Sequence, residues 1–211
     1  FEGQYMTDQL LIKYNNLERL WAINADKFYM NEKTQGVSDS NKIKIHWGIH
    51  INYPKRPVLI EKSPTNAARL LWLQREFPNA YFIGIVRNGY AVAEGIHRKV
   101  KHDISMCAKQ WAVSNEIMIR DFELLKNKLV VRYEDFTAHP FENTAKLTAF
   151  LQIPPLEDKI LNSEFQIRSD KSGIKNMNKR SFESLSEKDL KTIEDNAGEM
   201  LHQLDYFKKF E

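Results

Sequence analysis

The chain has 211 residues, of which 42% are hydrophobic and 28% charged, a composition typical of ordinary globular proteins. Its 31 lysines and arginines against 28 acidic residues give a formal net charge of +3, too small to indicate a nucleic-acid-binding protein. No apolar run reaches the roughly 20 residues that a membrane-spanning helix requires, so the sequence predicts no membrane span.

The N-terminal part of the chain is predicted to hold two helices, a loop and a strand. Leucines and aromatic residues recur at helical spacing from Thr7 to Met30, and Asp8 can cap this helix. The polar stretch from Asn31 to Asn41 predicts a loop. Val58 to Ile60 form a short apolar run that predicts a buried strand, and the segment from Pro64 to Pro78 then predicts a helix.

The middle of the chain continues the alternation of strands and helices. Ala80 to Val86 is almost continuously apolar, which is typical of a central parallel strand covered on both faces. Helices are predicted from Tyr90 to Val100 and from about Ile104 to Leu125, followed by a strand from Leu129 to Tyr133. Glu134 and Asp135 then predict an acidic turn, with turn or capping roles for both carboxylates.

The C-terminal part is predicted to contain two helices separated by a long loop. The helices run from Phe141 to Leu151 and from Ser186 to Leu204, with Ser186 as N-cap, and Ser163 to Ser181 form the loop. Strands alternating with helices predict an α/β fold with a parallel sheet, formed as one domain over residues 1–211.

Two cationic residues follow two of the predicted strands. Lys62 comes just after the strand at Val58 to Ile60, and Arg87 ends the strand at Ala80 to Val86. Open α/β sheets bind ligands at the carboxyl ends of their strands, and both side chains are expected there. Two cations beside a helix N-terminus are suited to a phosphate or sulfate ester. The alternative is that each is a solvated strand-end cation.

Three stretches resemble a known family. EKSP at Glu61, FPNAYFIGIVRNGYAVAEGI from Phe77 and VVRYEDF from Val130 are similar to sulfotransferases that use 3'-phosphoadenosine 5'-phosphosulfate, or PAPS. The similarity is strongest to the tyrosylprotein type and to bacterial carbohydrate enzymes, and it keeps Lys62 and Arg87 twenty-five positions apart. A later stretch, RSDKSGIKNMN from Arg168, is also similar. The resemblance implies a three-layer, P-loop NTPase-like sulfotransferase fold.

The resemblance also implies roles for individual residues. Lys62 corresponds to the lysine that contacts the bridging oxygen and sulfonyl group and stabilises the transition state. Ser169 corresponds to a serine that supports the same step, and Arg87 to the arginine that binds the 3'-phosphate. The remaining implied cofactor-binding residues are Gly95, Lys99, Tyr133, Ser172, Gly173, Ile174, Lys175, Asn178 and, as a 5'-side cation, Lys188. The family requires no metal.

Two of these positions depart from the family pattern. Gly95 stands where the family has a serine that binds the 3'-phosphate, although a backbone N–H could replace the hydroxyl because glycine permits close approach. Lys99, with Arg98 beside it, stands where the family has an arginine, so the charge is kept without the bidentate geometry.

The family's phosphosulfate-binding loop has no counterpart before Pro57. We therefore expect the chain to lack the N-terminal strand, the loop and the following helix, together with the family's catalytic glutamate. No Walker GxxxxGK[ST] or GxGxxG motif is present either. His46 and His50 lie four residues apart, a spacing that a pair of metal ligands on a helix would have, but no third ligand accompanies them. Either histidine could instead be a base on the acceptor side.

The sequence thus predicts transfer of a sulfonyl group from PAPS to an acceptor hydroxyl on a glycan, lipid, metabolite or tyrosine. The alternatives are a non-catalytic nucleotide-binding module of the same fold and a P-loop-type small-molecule kinase. Predicted partners are PAPS, its product PAP and the acceptor, with no nucleic acid; the oligomeric state is open. The single cysteine, Cys107, excludes an internal disulfide and favours a reducing compartment, such as a bacterial cytoplasm.

Overall fold

The computed structural model describes residues 3–10, 19–51, 58–167 and 170–210. The chain forms two compact units, one from Phe1–Ala80 with Glu116–Leu125 and the other from Tyr81–Asn115 with Lys126–Glu211. Among the described residues, no helix combines the length and apolar character needed to cross a bilayer.

The first unit is helical in its described residues. It contains the 3₁₀ helices Gly3–Tyr5, Ala22–Lys27 and Pro64–Ala68, the α-helices α1 (Ser40–Ile51) and α2 (Leu70–Glu76), and the last part of α4 (Ile104–Phe122). Helix α1 begins after Asp39, whose carboxylate accepts hydrogen bonds from the backbone N–H groups of Asn41 and Lys42 at 2.9 and 3.2 Å. This is an N-cap, and it supplies partners for amides that have none inside the helix.

Three sequence predictions for this unit are wrong. The predicted long helix from Thr7 to Met30 does not form in the described residues of that range, which contain only the 3₁₀ helix Ala22–Lys27. Arg19 has a φ of 65°, and an α-helix cannot continue through that conformation. Residues 11–18 lie outside the described part of the chain. Val58 to Ile60 form no strand and are exposed rather than buried. The helix from Pro64 to Pro78 is broken at Arg69, whose φ of −139° separates two shorter helices.

The second unit is built around two parallel strands. Strand β1 (Phe82–Val86) pairs with β2 (Lys128–Arg132), in a register that places Phe82 opposite Lys128 and Val86 opposite Arg132. The prediction that β1 is covered on both faces is wrong, because its side chains alternate between buried and exposed and Ile85 is 67% exposed. The apolar side chains of β1 therefore lie on two faces of the strand, one buried and one exposed.

Helices complete the second unit. They are α3 (Gly89–Val100), the first part of α4, α5 (Tyr133–Ala138), α6 (Pro140–Phe150), α7 (Asp158–Leu161), α8 (Asn178–Phe182) and α9 (Glu187–Gln203). The predicted helices corresponding to α3, α4, α6 and α9 are confirmed to within a few residues. The predicted loop from Ser163 to Ser181 instead contains an antiparallel pair, β3 (Phe165–Ile167) with β4 (Asp170–Ser172), and α8 begins within it.

Two local features fix the helices of this unit. Ser186 caps α9 as predicted, and it forms a capping box with Asp189 in which each side chain bonds the other residue's backbone N–H. At the start of α3, a Cβ added to Gly89 would come within 2.8 Å of the Trp111 ring and 2.9 Å of Leu201. Glycine at this position therefore allows α3 to approach α4 and α9 closely.

Candidate phosphate-binding site

Parallel pairing brings two predicted site residues to the same edge of the second unit. Arg87 follows β1 directly and Tyr133 follows β2 directly, and the last residues of these strands, Val86 and Arg132, are register partners. The Arg87 guanidinium consequently lies over the Tyr133 ring, with its central carbon 4.4 Å from the ring centroid. A guanidinium held in this way is stabilised by the ring's π electrons and is restricted in orientation.

A hydrogen bond from Asn178 fixes the Arg87 side chain further. Arg87 Nε donates to Asn178 Oδ1 at 2.8 Å, and Asn178 is fully buried at the first position of α8. Within the described part of the chain, neither terminal nitrogen of Arg87 has a hydrogen-bond partner. The two terminal nitrogens of Arg87 can therefore donate to two oxygens of one phosphate or sulfate, while Nε anchors the side chain to Asn178.

The Tyr133 hydroxyl ties the loop before α8 to the same place. It donates to the Lys175 carbonyl at 3.0 Å and accepts from the backbone N–H of Met177 at 2.9 Å. Arg87, Tyr133, Asn178 and the Lys175 backbone, all predicted cofactor-binding positions, are therefore brought together. We call these four the Arg87 cluster.

Glu134 supports the Arg87 cluster, a role that the sequence prediction of a turn or capping carboxylate did not include. Its Oε1 accepts from the Asn178 side-chain amide at 2.7 Å and from the backbone N–H of Asn88 at 3.0 Å. Its Oε2 accepts from the Tyr206 hydroxyl at 2.8 Å. Glu134 therefore orients Asn178, which in turn orients Arg87.

The environment of Glu134 favours its charged form. Burial raises the pKa of this carboxyl, but the hydrogen bonds from Asn88, Asn178 and Tyr206 outweigh burial and hold the pKa below its usual value. The pKa of the Tyr206 phenol is raised, mainly because the phenol is buried and secondly because it donates a hydrogen bond to Glu134. At neutral pH the pair is a carboxylate accepting a hydrogen bond from a neutral phenol.

Two neighbours, Trp111 and Asn88, fix the backbone around Arg87. The Trp111 indole N–H donates to the Arg87 carbonyl at 2.9 Å. Asn88 caps α3, with its side-chain oxygen accepting from the Tyr90 N–H at 3.0 Å and its side-chain amide donating to the Lys209 carbonyl at 2.8 Å. An asparagine directly before a helix is a recognisable capping signal, whereas nothing in the sequence pointed to Trp111.

The other predicted positions of this unit lie outside the cluster's hydrogen bonds. Gly95 and Lys99 are four residues apart on α3, Lys99 is exposed, and a Cβ at Gly95 would have no described neighbour within 4 Å. Lys188 is exposed on α9, where its charge helps to lower the pKa of Asp189, after the dominant hydrogen bonds from Ser186. Ser172 is the last residue of β4, Gly173 and Ile174 lie between it and Lys175, and Ser169 lies outside the described residues.

Lys62 belongs to the first unit, and its backbone is anchored on both sides. The preceding Glu61 accepts hydrogen bonds from the Gly3 N–H at 2.8 Å and from the Asn66 side chain. The following Ser63 accepts from the Gln4 N–H at 3.3 Å. The Lys62 side chain itself is exposed. An exposed lysine between two hydrogen-bonded neighbours is a candidate for contact with an anionic group.

The two histidines singled out in the sequence, His46 and His50, lie one turn apart on α1 in the first unit. No group of three or more His, Cys, Asp or Glu side chains within the described ranges is arranged to hold a metal ion. His46 contacts Thr7, with 3.0 Å between Nδ1 and Oγ1.

Replacing Glu134 by glutamine should destabilise the protein by about 1–3 kcal/mol at pH 7, because charged acceptors form the stronger hydrogen bonds. The pKa of Glu134 is lower in the folded state than in the unfolded chain. At a pH above the unfolded-state pKa, the carboxylate therefore stabilises the fold in full, and this stabilisation is lost as the pH falls through the folded-state pKa. The difference between wild type and Glu134→Gln in urea unfolding should therefore shrink below about pH 4. Asp135→Asn, a change at the exposed neighbour, should stay within about 0.5 kcal/mol. A pH-independent difference would contradict this assignment.

Comparison with known proteins identifies relatives of the chain. It is 33% identical to protein-tyrosine sulfotransferase A of Caenorhabditis elegans over 125 residues, which are 55% of this chain and 33% of that protein. It is 32% identical to the protein-tyrosine sulfotransferase of Drosophila melanogaster over 117 residues, 51% of this chain and 23% of that protein. The chain thus spans about a third or less of the length of these curated relatives.

A solved structure supports the fold. The sulfotransferase domain from the curacin biosynthetic pathway superposes with a TM-score of 0.56 and 19% identity, covering 98% of this chain and 85% of that one. The predicted α/β sulfotransferase fold is confirmed by this match, as is the resemblance to the tyrosylprotein type by the two relatives. A family model described as the sulfotransferase family matches residues 13–158, well over half of the sequence, and the chain belongs to that family.

Proposed function

We propose that the protein transfers a sulfonyl group from PAPS to the hydroxyl of an acceptor. The observation that carries this proposal is the Arg87 cluster, in which a stacked and anchored guanidinium at a strand end keeps two terminal nitrogens for a ligand. That arrangement suits the dianionic 3'-phosphate that distinguishes PAPS from most adenosine nucleotides. Family membership supports the reaction type.

The residues of the second unit fit the adenosine-phosphate part of the donor. Arg87 is the proposed ligand of the 3'-phosphate, with Lys99 adding charge further along α3. The open space beside Gly95 leaves room for a phosphate oxygen to approach the α3 backbone. The segment from Ser169 to Asn178, in which the Lys175 carbonyl and the Met177 N–H are bonded to the Tyr133 hydroxyl, is the proposed cover of the nucleotide. Lys188 and Ser169 remain proposed ligands on the 5' side.

Lys62 is the proposed transition-state residue. PAPS supplies a sulfonyl group bonded to a phosphate oxygen; the bond from sulfur to that oxygen breaks as the bond to the acceptor oxygen forms, and a base accepts the acceptor's proton. As in phosphoryl transfer, the protein chiefly positions these groups and offsets the developing charge. The ammonium of Lys62 would neutralise charge on the leaving phosphate. Ser169 is proposed to assist the same step.

Calorimetry with PAP and with ATP, followed by a radiolabelled PAPS transfer assay on the full-length protein, tests the proposal. We expect PAP to bind more tightly than ATP and label to reach a hydroxyl-bearing acceptor without added metal. A preference for ATP would favour the kinase alternative, and failure to transfer despite PAP binding would favour the non-catalytic module.

A reducing compartment, such as a bacterial cytoplasm, is the proposed location, on the basis of the single Cys107.

A further inference from the structure

After α9 the chain turns back, and residues 204–210 form a short segment that is bonded to the surroundings of the Arg87 cluster. The turn places the backbone N–H of Tyr206 2.7 Å from the Leu201 carbonyl. Asp205 and Lys208 both have left-handed backbone conformations, with φ of 58° and 53°. Such conformations are unfavourable for residues other than glycine, and they persist where surrounding contacts hold the chain. The segment is therefore held in place by its contacts with the rest of the unit.

Tyr206 is the central residue of this segment and is only 2% exposed. Its hydroxyl donates to Glu134 at 2.8 Å. The Arg132 guanidinium lies over its ring, 4.2 Å from the centroid, and the Trp111 ring meets it edge to face, with 6.4 Å between the centroids. Arg132 also donates to the Leu204 carbonyl at 2.9 Å. The Tyr206 side chain is thus fixed both at its hydroxyl and at its ring.

Tyr206 contacts both of the residues that support Arg87. Glu134 orients Asn178, which accepts from Arg87 Nε, and Trp111 donates its indole N–H to the Arg87 carbonyl. One buried side chain therefore touches the residue that orients the Arg87 side chain and the residue that holds its backbone. Because Tyr206 is buried, it can influence a ligand only through these neighbours.

The rest of the segment joins two helices that begin at the Arg87 cluster. The Lys209 carbonyl accepts from the side-chain amide of Asn88, the residue that caps α3, at 2.8 Å. The Phe210 ring lies 5.0 Å from the Tyr90 ring of α3 and 5.5 Å from the Phe182 ring of α8, measured between centroids. The segment therefore fixes the start of α3 relative to α8, the helix that carries the amide bonded to the guanidinium.

We propose that residues 204–210 are a positioning element of the donor site, and that Tyr206 is the positioning residue that sets the preference for a 3'-phosphate by holding Arg87 in its binding orientation. The inference rests on the proposed function, because the ligand is the 3'-phosphate of that reaction's donor. A guanidinium that is fixed before the ligand arrives loses less freedom on binding than a mobile one. Tyr206 itself touches neither the donor nor the reacting atoms.

The variant Tyr206→Phe removes the hydroxyl and keeps the ring. Calorimetry should show PAP binding weakened about tenfold, as is typical when an outer partner of a binding residue is lost, and AMP binding almost unchanged. KM for PAPS should rise by a similar factor while kcat stays within about twofold, because donor binding alone is affected. A residue that served stability alone would change PAP and AMP binding equally, and that result would overturn the proposal.

A double-mutant cycle tests whether Tyr206 acts through Arg87. In the Arg87→Ala background, Tyr206→Phe should cause no further loss of PAP affinity, because the guanidinium that it positions is absent. If the two losses multiplied, Tyr206 would act independently of Arg87, and the proposal would be wrong.

Tyr29 of the first unit provides a matched control. Its hydroxyl donates to the buried carboxylate of Asp121 at 2.8 Å, and the Arg120 guanidinium lies over its ring, 5.0 Å from the centroid. Tyr29→Phe therefore removes an equivalent hydrogen bond from a phenol to a carboxylate. It should lower the stability to urea about as much as Tyr206→Phe does, and it should leave PAP binding unchanged. An equal loss of PAP affinity in both variants would contradict the proposal.

Phe210→Ala tests the same segment at a position where the fold is not at risk, since Phe210 is 43% exposed. This variant should lower the preference for PAP over AMP about threefold, because the contact with α8 is lost. An unchanged preference would overturn the role of the segment.

The outcome for the proposed function can be separated from the outcome for this inference. If the wild type prefers PAP to AMP but transfers no sulfonyl group, the proposed function fails, and a reduced preference in Tyr206→Phe still supports the positioning role. If the wild type transfers sulfonyl groups and Tyr206→Phe binds both nucleotides as the wild type does, the positioning role alone is wrong. If the wild type shows no preference for PAP, both are wrong.

Discussion

Replacing Lys62 by alanine should lower the rate of sulfonyl transfer by about 10²–10³ while leaving the affinity for PAP within tenfold. The loss of one preorganised transition-state contact costs roughly 3–4 kcal/mol, which corresponds to that factor. PAP keeps the 5'-phosphate that Lys62 would contact, but it lacks the sulfonyl group and the charge that develops on the bridging oxygen in the transition state, so the loss of PAP affinity should be much smaller than the loss of rate. Single-turnover transfer assays and calorimetry with PAP measure the two quantities separately.

The fold should survive this substitution. The Lys62 side chain is exposed, and the backbone on both sides is held by Glu61 and Ser63 through hydrogen bonds that do not involve the lysine amine. Lys33→Ala is a matched control because Lys33 is also an exposed lysine of the first unit. Unchanged turnover in Lys62→Ala, or an equal loss in Lys33→Ala, would refute the assignment of Lys62 to the transition state.

The elements that the sequence predicted well are those with a strong local signal. Strand β1 is almost continuously apolar, and α9 begins at a serine with an acidic residue three positions later, which together form the capping box. Signals of this kind act within a few residues, so tertiary contacts do not need to be known. The buried faces were less predictable, because an apolar run does not show which of its side chains are covered, and Ile85 of β1 is exposed.

Helix α1 was missed for a physical reason. From Lys42 to His46 its residues alternate between polar and apolar, a pattern with the period of a strand. The helix forms nevertheless, since Asp39 caps it and Ile43 and Trp47, one turn apart, are both buried. Packing of these two side chains decides the conformation, and local propensity does not.

The strand at Val58 to Ile60 was predicted from apolar character alone and does not form. All three side chains are between 39% and 73% exposed, so the apolar run is not buried among the described residues. Three residues are too few for periodicity to separate a strand from an irregular segment. The prediction that Lys62 follows a strand is therefore wrong, although its position between two anchored neighbours gives it a fixed backbone.

Half of the Arg87 cluster could be predicted from chain positions. Arg87 and Tyr133 each follow a strand, and parallel pairing brings such residues together. The role of Glu134 could not be predicted in the same way, because its hydrogen-bond donors come from three distant segments, at Asn88, Asn178 and Tyr206. A carboxylate directly after a strand-end tyrosine was the one available signal.

Replacing Arg87 by alanine should weaken PAP binding by at least about 100-fold, the second large effect that we expect. Hydrogen bonds from a charged group contribute about 1.5–3 kcal/mol each, and a bidentate contact to the 3'-phosphate is lost in this variant. Arg87→Lys should recover only part of the affinity. Lysine keeps the charge but has no guanidinium to donate to Asn178 through Nε and to lie over Tyr133. Calorimetry with PAP measures both variants.

Comparison of PAP with AMP, which lacks the 3'-phosphate, makes this test specific. The wild type should prefer PAP strongly, and Arg87→Ala should lose most of that preference while its weaker affinity for AMP changes little. Lys62→Ala should keep the preference intact, since its role lies at the transferring group. Arg180→Ala, at an exposed arginine of α8, controls for the loss of one positive charge near Asn178. If Arg87→Ala weakened PAP and AMP equally, Arg87 would be a structural residue or a ligand of the 5' side, and the 3'-phosphate assignment would be wrong.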